Sequence, residues 1–185
     1  MIIVTSAKYR QALLPVIAIH KNYLDDRGEE IIWIHGKRDL TLLPELDGQC
    51  LICFNTGIII PEEILDRLAR RTYNFHAAPP EFPGRDPHHW AIYRGARTFG
   101  ATCHVMTKKV DDGQILAVKR FDIECGLTAE QLVLQAIDLT YGMFDELLAN
   151  MLEGKLAPTG DTWGPIKTTR ADSLRMRGER GFENF

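Results

Sequence analysis

Residues 72–76 read Thr72-Tyr73-Asn74-Phe75-His76, and residues 110–113 read Val110-Asp111-Asp112-Gly113. The first run alternates and fits a strand. Successive strand side chains point to opposite faces, so Asn74 and His76 share one face and Tyr73 and Phe75 the other. The second run is an acidic turn. Between the two lie a Pro/Gly-rich loop from Ala77 to Asp86, a short helix signal and a second strand signal from Gly100 to Thr107. The pattern places an amide and an imidazole side by side at a strand end, with a carboxylate supplied by a later loop. That combination suits proton transfer and the stabilisation of a developing oxyanion.

Outward from this stretch, apolar runs alternate with longer connections. Ile2 to Thr5, Ile31 to Ile34 and Gln49 to Phe54 are the upstream strands, and Ile115 to Ile123 follows the acidic turn. A helical pattern covers Ala7 to Leu24, where Pro15 predicts a break or a late start. Gly36 to Gly48 reads as irregular. Pro61 suits a first helical position with Glu62 and Glu63 behind it, and Arg70 and Arg71 suit that helix's end. Asp86 and Pro87 open a short helix that Gly95 closes. Thr128-Ala129-Glu130-Gln131 is a capping box opening a long helix that ends at Gly154. The expected fold is α/β: a Rossmann-like open, mainly parallel sheet with helices on both faces. Residues 1–155 form the expected catalytic domain. Residues 156–185, with weak periodicity, are expected as an extension packing on the same domain.

The 185 residues carry a net charge of −3, which argues against a general nucleic-acid binder. No apolar run reaches the length of a membrane span, and the start lacks the basic region of a leader peptide. Cys50, Cys53, Cys103 and Cys125 read as reduced thiols of a cytoplasmic protein, with Cys50 and Cys53 in core packing. His104 likewise reads as a packing residue. His88 and His89 are adjacent, so a helix splays them and disfavours a shared metal site. No metal is expected.

Three motifs in order, Asn74-Phe75-His76, Gly100-Ala101-Thr102 and Asp111-Asp112-Gly113, resemble the Asn-x-His, Gly-x-Thr and Asp-x-Gly of the formyltransferases that use 10-formyltetrahydrofolate. Gly57-Ile58-Ile59-Ile60-Pro61 is similar to that family's Gly-x-Ile-Leu-Pro. The resemblance covers Leu51 to Leu116. It implies catalytic roles for Asn74, His76 and Asp111, the acid two before the glycine. It also implies a slot for the pterin ring lined by Gly57, Ile58, Ile59, Ile60, Met106 and Val110. Two departures stand out. The part before Asn74 is shortened relative to the family's three strand–helix units. The loop after His76 reads Ala78-Pro79-Pro80-Glu81 where the family often has Ser-Leu-Leu-Pro, a serine region that helps bind a substrate phosphate in the purine-pathway members.

The resemblance implies transfer of a formyl group from 10-formyltetrahydrofolate to a primary amine of a small molecule. A nucleotide-linked amino sugar comes first, since Lys167-Thr168-Thr169-Arg170-Ala171-Asp172 is similar to a segment of enzymes acting on such sugars. Glycinamide ribonucleotide comes second, and hydrolysis of the formyl donor is a further reading. A non-catalytic folate- or nucleotide-binding protein is the alternative from another class. The expected partners include no nucleic acid and no membrane; a homodimer is possible. Transfer RNA is disfavoured by the charge and by the absence of a further C-terminal domain.

Overall fold

The computed structural model describes residues 1–42, 49–68 and 72–180. Six strands form one sheet in the order β2-β1-β3-β4-β5-β6: β1 is Ile2–Val4, β2 Ile32–Ile34, β3 Leu51–Phe54, β4 Thr72–His76, β5 Thr98–Val105 and β6 Ile115–Asp122. The first four run parallel. β5 returns antiparallel to β4, and β6 antiparallel to β5. The strands at the parallel centre are buried on both faces, as their unbroken apolar runs require.

Helices cover both faces. On one, α1 (Ala7–Ile19), α2 (Lys21–Asp26) and α5 (Ala129–Glu153) bury Leu13, Leu24, Met143, Phe144 and Leu148 against Ile3, Ile52, Phe54 and Phe75. Phe54 is the centre of this layer. Its ring lies 5.4 Å from Phe75, 5.8 Å from Phe144 and 5.1 Å from Tyr141. Truncating a ring so placed costs about 3–5 kcal/mol. On the other face, α3 (Glu62–Arg67) and a 3₁₀ turn, Lys37–Leu42, pack Ile64 and Leu40 against Ile2, Val4, Leu51 and Cys53. α4 (Pro87–Tyr93) crosses near the start of α5, with Ala91 packed beside Leu132 and Ala136. No helix among the described residues is long and apolar enough to cross a membrane.

Several local expectations hold and several need correction. Thr128 and Gln131 exchange both capping bonds, and Gly154 ends α5 at φ 65°. α1 runs straight through Pro15 and breaks only at His20. Pro15 is exposed, so the carbonyl it leaves without a partner, on exposed Gln11, is open to water, while buried Leu13 anchors the helix. Pro61 is the cap of α3 rather than its first helical residue. The expected helix end at Arg70 and Arg71 lies outside the described residues. Asp86 precedes α4 in a left-handed conformation, φ 52°, and its side chain makes no capping bond. The tail contains a helix that periodicity did not reveal, α6 (Arg170–Arg180). Its start is fixed by Thr169 and Asp172: the Thr169 N–H donates to the Asp172 carboxylate, and the Asp172 N–H donates to the Thr169 hydroxyl. Between β2 and β3, the described residues hold no α-helix, in keeping with a shortened first half.

Candidate active site

β4 is the last parallel strand, and its Asn74 and His76 face their neighbours on β5 directly. Asn74 is paired with His104, and His76 with Thr102. The β5–β6 ladder slips between Cys103 and His104, where Ala117 and Ile115 are the successive partners and Leu116 is the extra residue. Such a bulge bends the ribbon and re-aims the side chains beside it. Asn74 Nδ2 lies 3.0 Å from His104 Nε2, and His104 Nδ1 lies 2.9 Å from the Val105 carbonyl. Thr102, wholly buried, donates its hydroxyl to the Ala78 carbonyl at 2.8 Å and so anchors the loop that follows His76.

Asp111 reaches this cluster from the turn before β6. Its Oδ2 is 3.8 Å from His76 Nε2, and its Oδ1 is 3.5 Å from His104 Nε2. The first is an ion-pair distance, longer than a direct hydrogen bond. His76 Nε2 also faces the Phe82 carbonyl at 3.3 Å. Asp111 is 3 % exposed, its backbone is left-handed at φ 45°, and the Gly84 N–H donates to Oδ2 at 2.8 Å. Burial alone raises the Asp111 carboxyl. The charges of His76 and His104, the hydrogen bond from His104 and the Gly84 N–H outweigh that and hold it well below the usual carboxylate range. Gly113 belongs to the same turn for a steric reason: a side chain there would meet the Val105 carbonyl at 1.8 Å. Asp112 is half exposed and pairs with Lys167 at 3.3 Å.

The tail closes the cluster from behind. Trp163 lies edge-on to His104, with centroids 4.9 Å apart, and 6.2 Å from His76. Its Nε1–H donates to the Gly113 carbonyl at 2.8 Å. Thr168 forms a parallel bridge with Gly84, and Gly84 N–H is the donor to Asp111. A Cβ on Gly84, whose φ is +97°, would stand 2.2 Å from the Thr168 carbonyl, so only glycine permits this approach. Sequence reading took His104 for a packing residue, which the cluster corrects, and passed over Gly84 and Trp163. His104 stands two residues after Thr102 on one strand face, and its pairing opposite Asn74 is what brings it into the cluster. Nothing local marks Trp163.

In front of the cluster opens a cleft of about 730 Å³. Gly57, Ile58, Ile59, Ile60, Met106 and Val110 all line it, so the six slot residues face one space with Asn74, His76, His104 and Asp111. Ile59 and Val110 are 56 % and 45 % exposed, apolar surface turned outward at the mouth. The cleft continues to a polar rim of Arg85, His88, Lys167 and Thr169. The His88 and His89 rings lie 4.4 Å apart, tilted by 44°, and no set of three potential metal ligands gathers among the described residues.

The model of a protein family described as formyl transferase matches residues 39–144. The chain belongs to the formyl transferase family. This formyl transferase chain is 33% identical over 132 residues to a methionyl-tRNA formyltransferase of Caldanaerobacter subterraneus, a match covering 68% of the chain and 43% of that relative. It thus spans under half the length of that relative. Among solved structures, an N-formyltransferase of Helicobacter canadensis, in complex with folinic acid and dTDP-3-aminofucose, superposes with a TM-score of 0.74. It shares 15% identity over 92% of this chain and 70% of its own. A formyltransferase of Anoxybacillus kamchatkensis, in complex with a UDP-linked formamido sugar and tetrahydrofolate, gives a TM-score of 0.72 at 18% identity, covering 94% of this chain and 88% of its own. At these identities, the likeness to solved structures establishes the fold.

Proposed function

We propose that this chain transfers a formyl group from 10-formyltetrahydrofolate to the primary amine of a nucleotide-linked amino sugar. The observation that carries the proposal is the meeting of Asn74, His76 and Asp111 at the inner end of an apolar cleft, three residues drawn from two separate segments. The cleft suits a flat heteroaromatic ring. Its walls combine Ile58–Ile60 and Met106–Val110 with backbone groups, and its outward apolar surface at Ile59 and Val110 is what a ligand would cover. The folate would supply the formyl group. Asn74 would donate an N–H to the formyl oxygen as negative charge develops there. His76, with its one hydrogen on Nε2 toward Asp111 and the Phe82 carbonyl, would take the proton released by the attacking amine on its other nitrogen. Asp111, held ionised, would balance the imidazolium that results; its depressed titration makes it a partner for a cation rather than a base.

The acceptor follows from the rim. Arg85 and Lys167 line the same cleft as the catalytic cluster, and their cationic ends, paired here with Asp86 and Asp112, would serve the phosphates of a nucleotide. The Helicobacter protein, similar in fold, is recorded with such a sugar nucleotide and a formyl-folate. The reading includes residues 1–155 as the catalytic domain, with residues 156–185 its extension. It sets the protein in the cytoplasm, where cysteine thiols stay reduced. The test is a screen of amine acceptors with 10-formyltetrahydrofolate, following free tetrahydrofolate. Transfer to an amino-sugar nucleotide is expected. Folate release without any acceptor marks a hydrolase, and transfer to glycinamide ribonucleotide or a transfer RNA alone overturns the choice of acceptor.

A further inference from the structure

Resting on that reading, we propose that Asn55 receives the amine acceptor: its side-chain oxygen takes a hydrogen bond from the attacking amine, on the side of the cleft away from the folate slot.

The cleft reaches over the ends of β3 and β4 onto both faces of the sheet. The slot residues Ile58, Ile60 and Met106 pack with Cys53 on the face that α3 covers. Tyr9 of α1 and Val133 and Ile137 of α5 line the same cleft from the other face. A folate in the slot leaves this second wing for the amine. Asn55 stands at the junction. Its N–H donates to the Phe75 carbonyl at 3.3 Å and carries the Phe54–Phe75 pairing one residue further, so Asn55 and His76 end neighbouring strands side by side.

The backbone aims the side chain. Phe54 packs on Tyr141 and Phe144 of α5, so strict alternation would send Asn55 to the α3 face. A φ of 45° breaks the alternation and returns it toward α5, where Nδ2 donates to the Thr140 hydroxyl at 2.8 Å. Asn55, Asp86 and Asp111 are the three non-glycine residues with positive φ among the described residues, and all three line the cleft. Left-handed backbone outside glycine costs free energy and gathers at ligand sites.

The Thr140 hydroxyl fixes which end of the amide is which. Its oxygen lies 2.6 Å from the Ile137 carbonyl, and two oxygens so close hold a hydrogen between them. The carbonyl has none, so the hydroxyl spends its only hydrogen there and can only accept from Asn55. The amide atom facing Thr140 is therefore the nitrogen. Asn55 Oδ1 is left buried, with no hydrogen-bond partner. Such an acceptor detracts from the stability of the empty protein, and a donor brought by a ligand restores the loss. An amine brings that donor. It attacks through its lone pair, one N–H passes its proton to His76, and a second N–H serves Oδ1. An uncharged amide oxygen holds the amine without a carboxylate's pull toward the ammonium form, which has no lone pair to attack with.

Asn55→Gly and Thr140→Val separate this role from a structural tie. Glycine adopts the same φ without strain and removes the oxygen, whereas valine removes only the bond that fixes the amide. The acceptor is dTDP-3-aminofucose, the sugar nucleotide of the Helicobacter complex. Asn55→Gly should lower kcat/KM for the amine about ten- to a hundredfold, while the affinity for folinic acid, read by calorimetry, changes less than about twofold. Thr140→Val should cost less than about fivefold, since the oxygen still faces the amine in part of the population. Equal losses in the two variants, or a matching loss of folate affinity, would leave Asn55 as a tie between β3 and α5 and overturn the proposal. NMR of the unaltered protein gives a reading that needs no turnover: the Asn55 side-chain NH₂ should show cross-relaxation with Thr140. A nitrogen turned away from Thr140 overturns the proposal whether or not formyl transfer occurs. Transfer to no amine at all, with the amide oriented as described, overturns the proposed function, and with it the amine as partner of this oxygen.

Discussion

The Gly84 amide donates to the Asp111 carboxylate at 2.8 Å, so one bond ties the loop after His76 to the turn before β6. The same glycine lies against the Thr168 backbone, and three segments far apart in the chain meet at one residue. Gly84→Ala tests this junction. The added methyl would stand 2.2 Å from the Thr168 carbonyl at a φ of +97°. A loss of about 1–3 kcal/mol in urea unfolding is expected, and turnover should fall with it. Unchanged stability would mean that the tail is not held as described.

Asp111→Asn keeps the shape and removes the charge. Turnover should fall by roughly two to four orders of magnitude. Folate affinity, resting on apolar walls and backbone, should change far less. His76→Ala should behave alike, and the double variant should be little worse than either single one, because residues that act as a unit are strongly non-additive. Steady-state kinetics of the four proteins decides it; multiplied losses would mean that the two residues act independently.

The same carboxylate predicts the acid response. Asp111 is held below its unfolded value, which is about 4. The stability it contributes is therefore present in full above about pH 4 and is lost as pH falls toward the lower folded value. Urea midpoints measured from pH 6 down to pH 2 should fall less steeply at the acid end for Asp111→Asn than for the unaltered protein. Equal slopes would remove Asp111 from the acid transition.

Ile59 offers a test of the slot that leaves the core alone. It is 56 % exposed, so Ile59→Ser should change unfolding stability by no more than about 0.5 kcal/mol. If a folate ring covers it, binding should weaken about tenfold, the equivalent of about 1.4 kcal/mol of lost apolar burial. Thermal shift with a reduced folate measures both: a stabilisation of about 2.7 kcal/mol at a hundredfold excess over Kd in the unaltered protein, and a smaller one in the variant. Absence of any shift in the unaltered protein would count against a folate site.

The sheet was legible because strand and helix write their periods directly into the chain. Tyr73 and Phe75 alternate with Asn74 and His76, and the capping box at Thr128 announces α5. Ordered motifs pointed to Asn74, His76 and Asp111 for the same reason, each being local. What escaped was non-local. His104 becomes a site residue only because antiparallel pairing sets it opposite Asn74, and the ladder slip beside it leaves no mark that composition can register. Trp163 acquires its place from the Gly113 carbonyl, which no spacing within the tail foretells. Pro15 misled because the cost of a proline in a helix depends on exposure, which is a tertiary property.

A ribosome releases this chain from the N-terminus, and the order matters for the cluster. All six strands and α5 are complete by Glu153, whereas Trp163 and Thr168 emerge later. A chain interrupted between them holds Asn74, His76 and Asp111 with the back of the pocket open to water and with Gly84 tied to only one of its two neighbours. Assembly of the cluster thus waits on residues made after the sheet, and a protein lacking Trp163 and Thr168 would keep its sheet while losing the ring and the backbone bridge packed beside its two imidazoles.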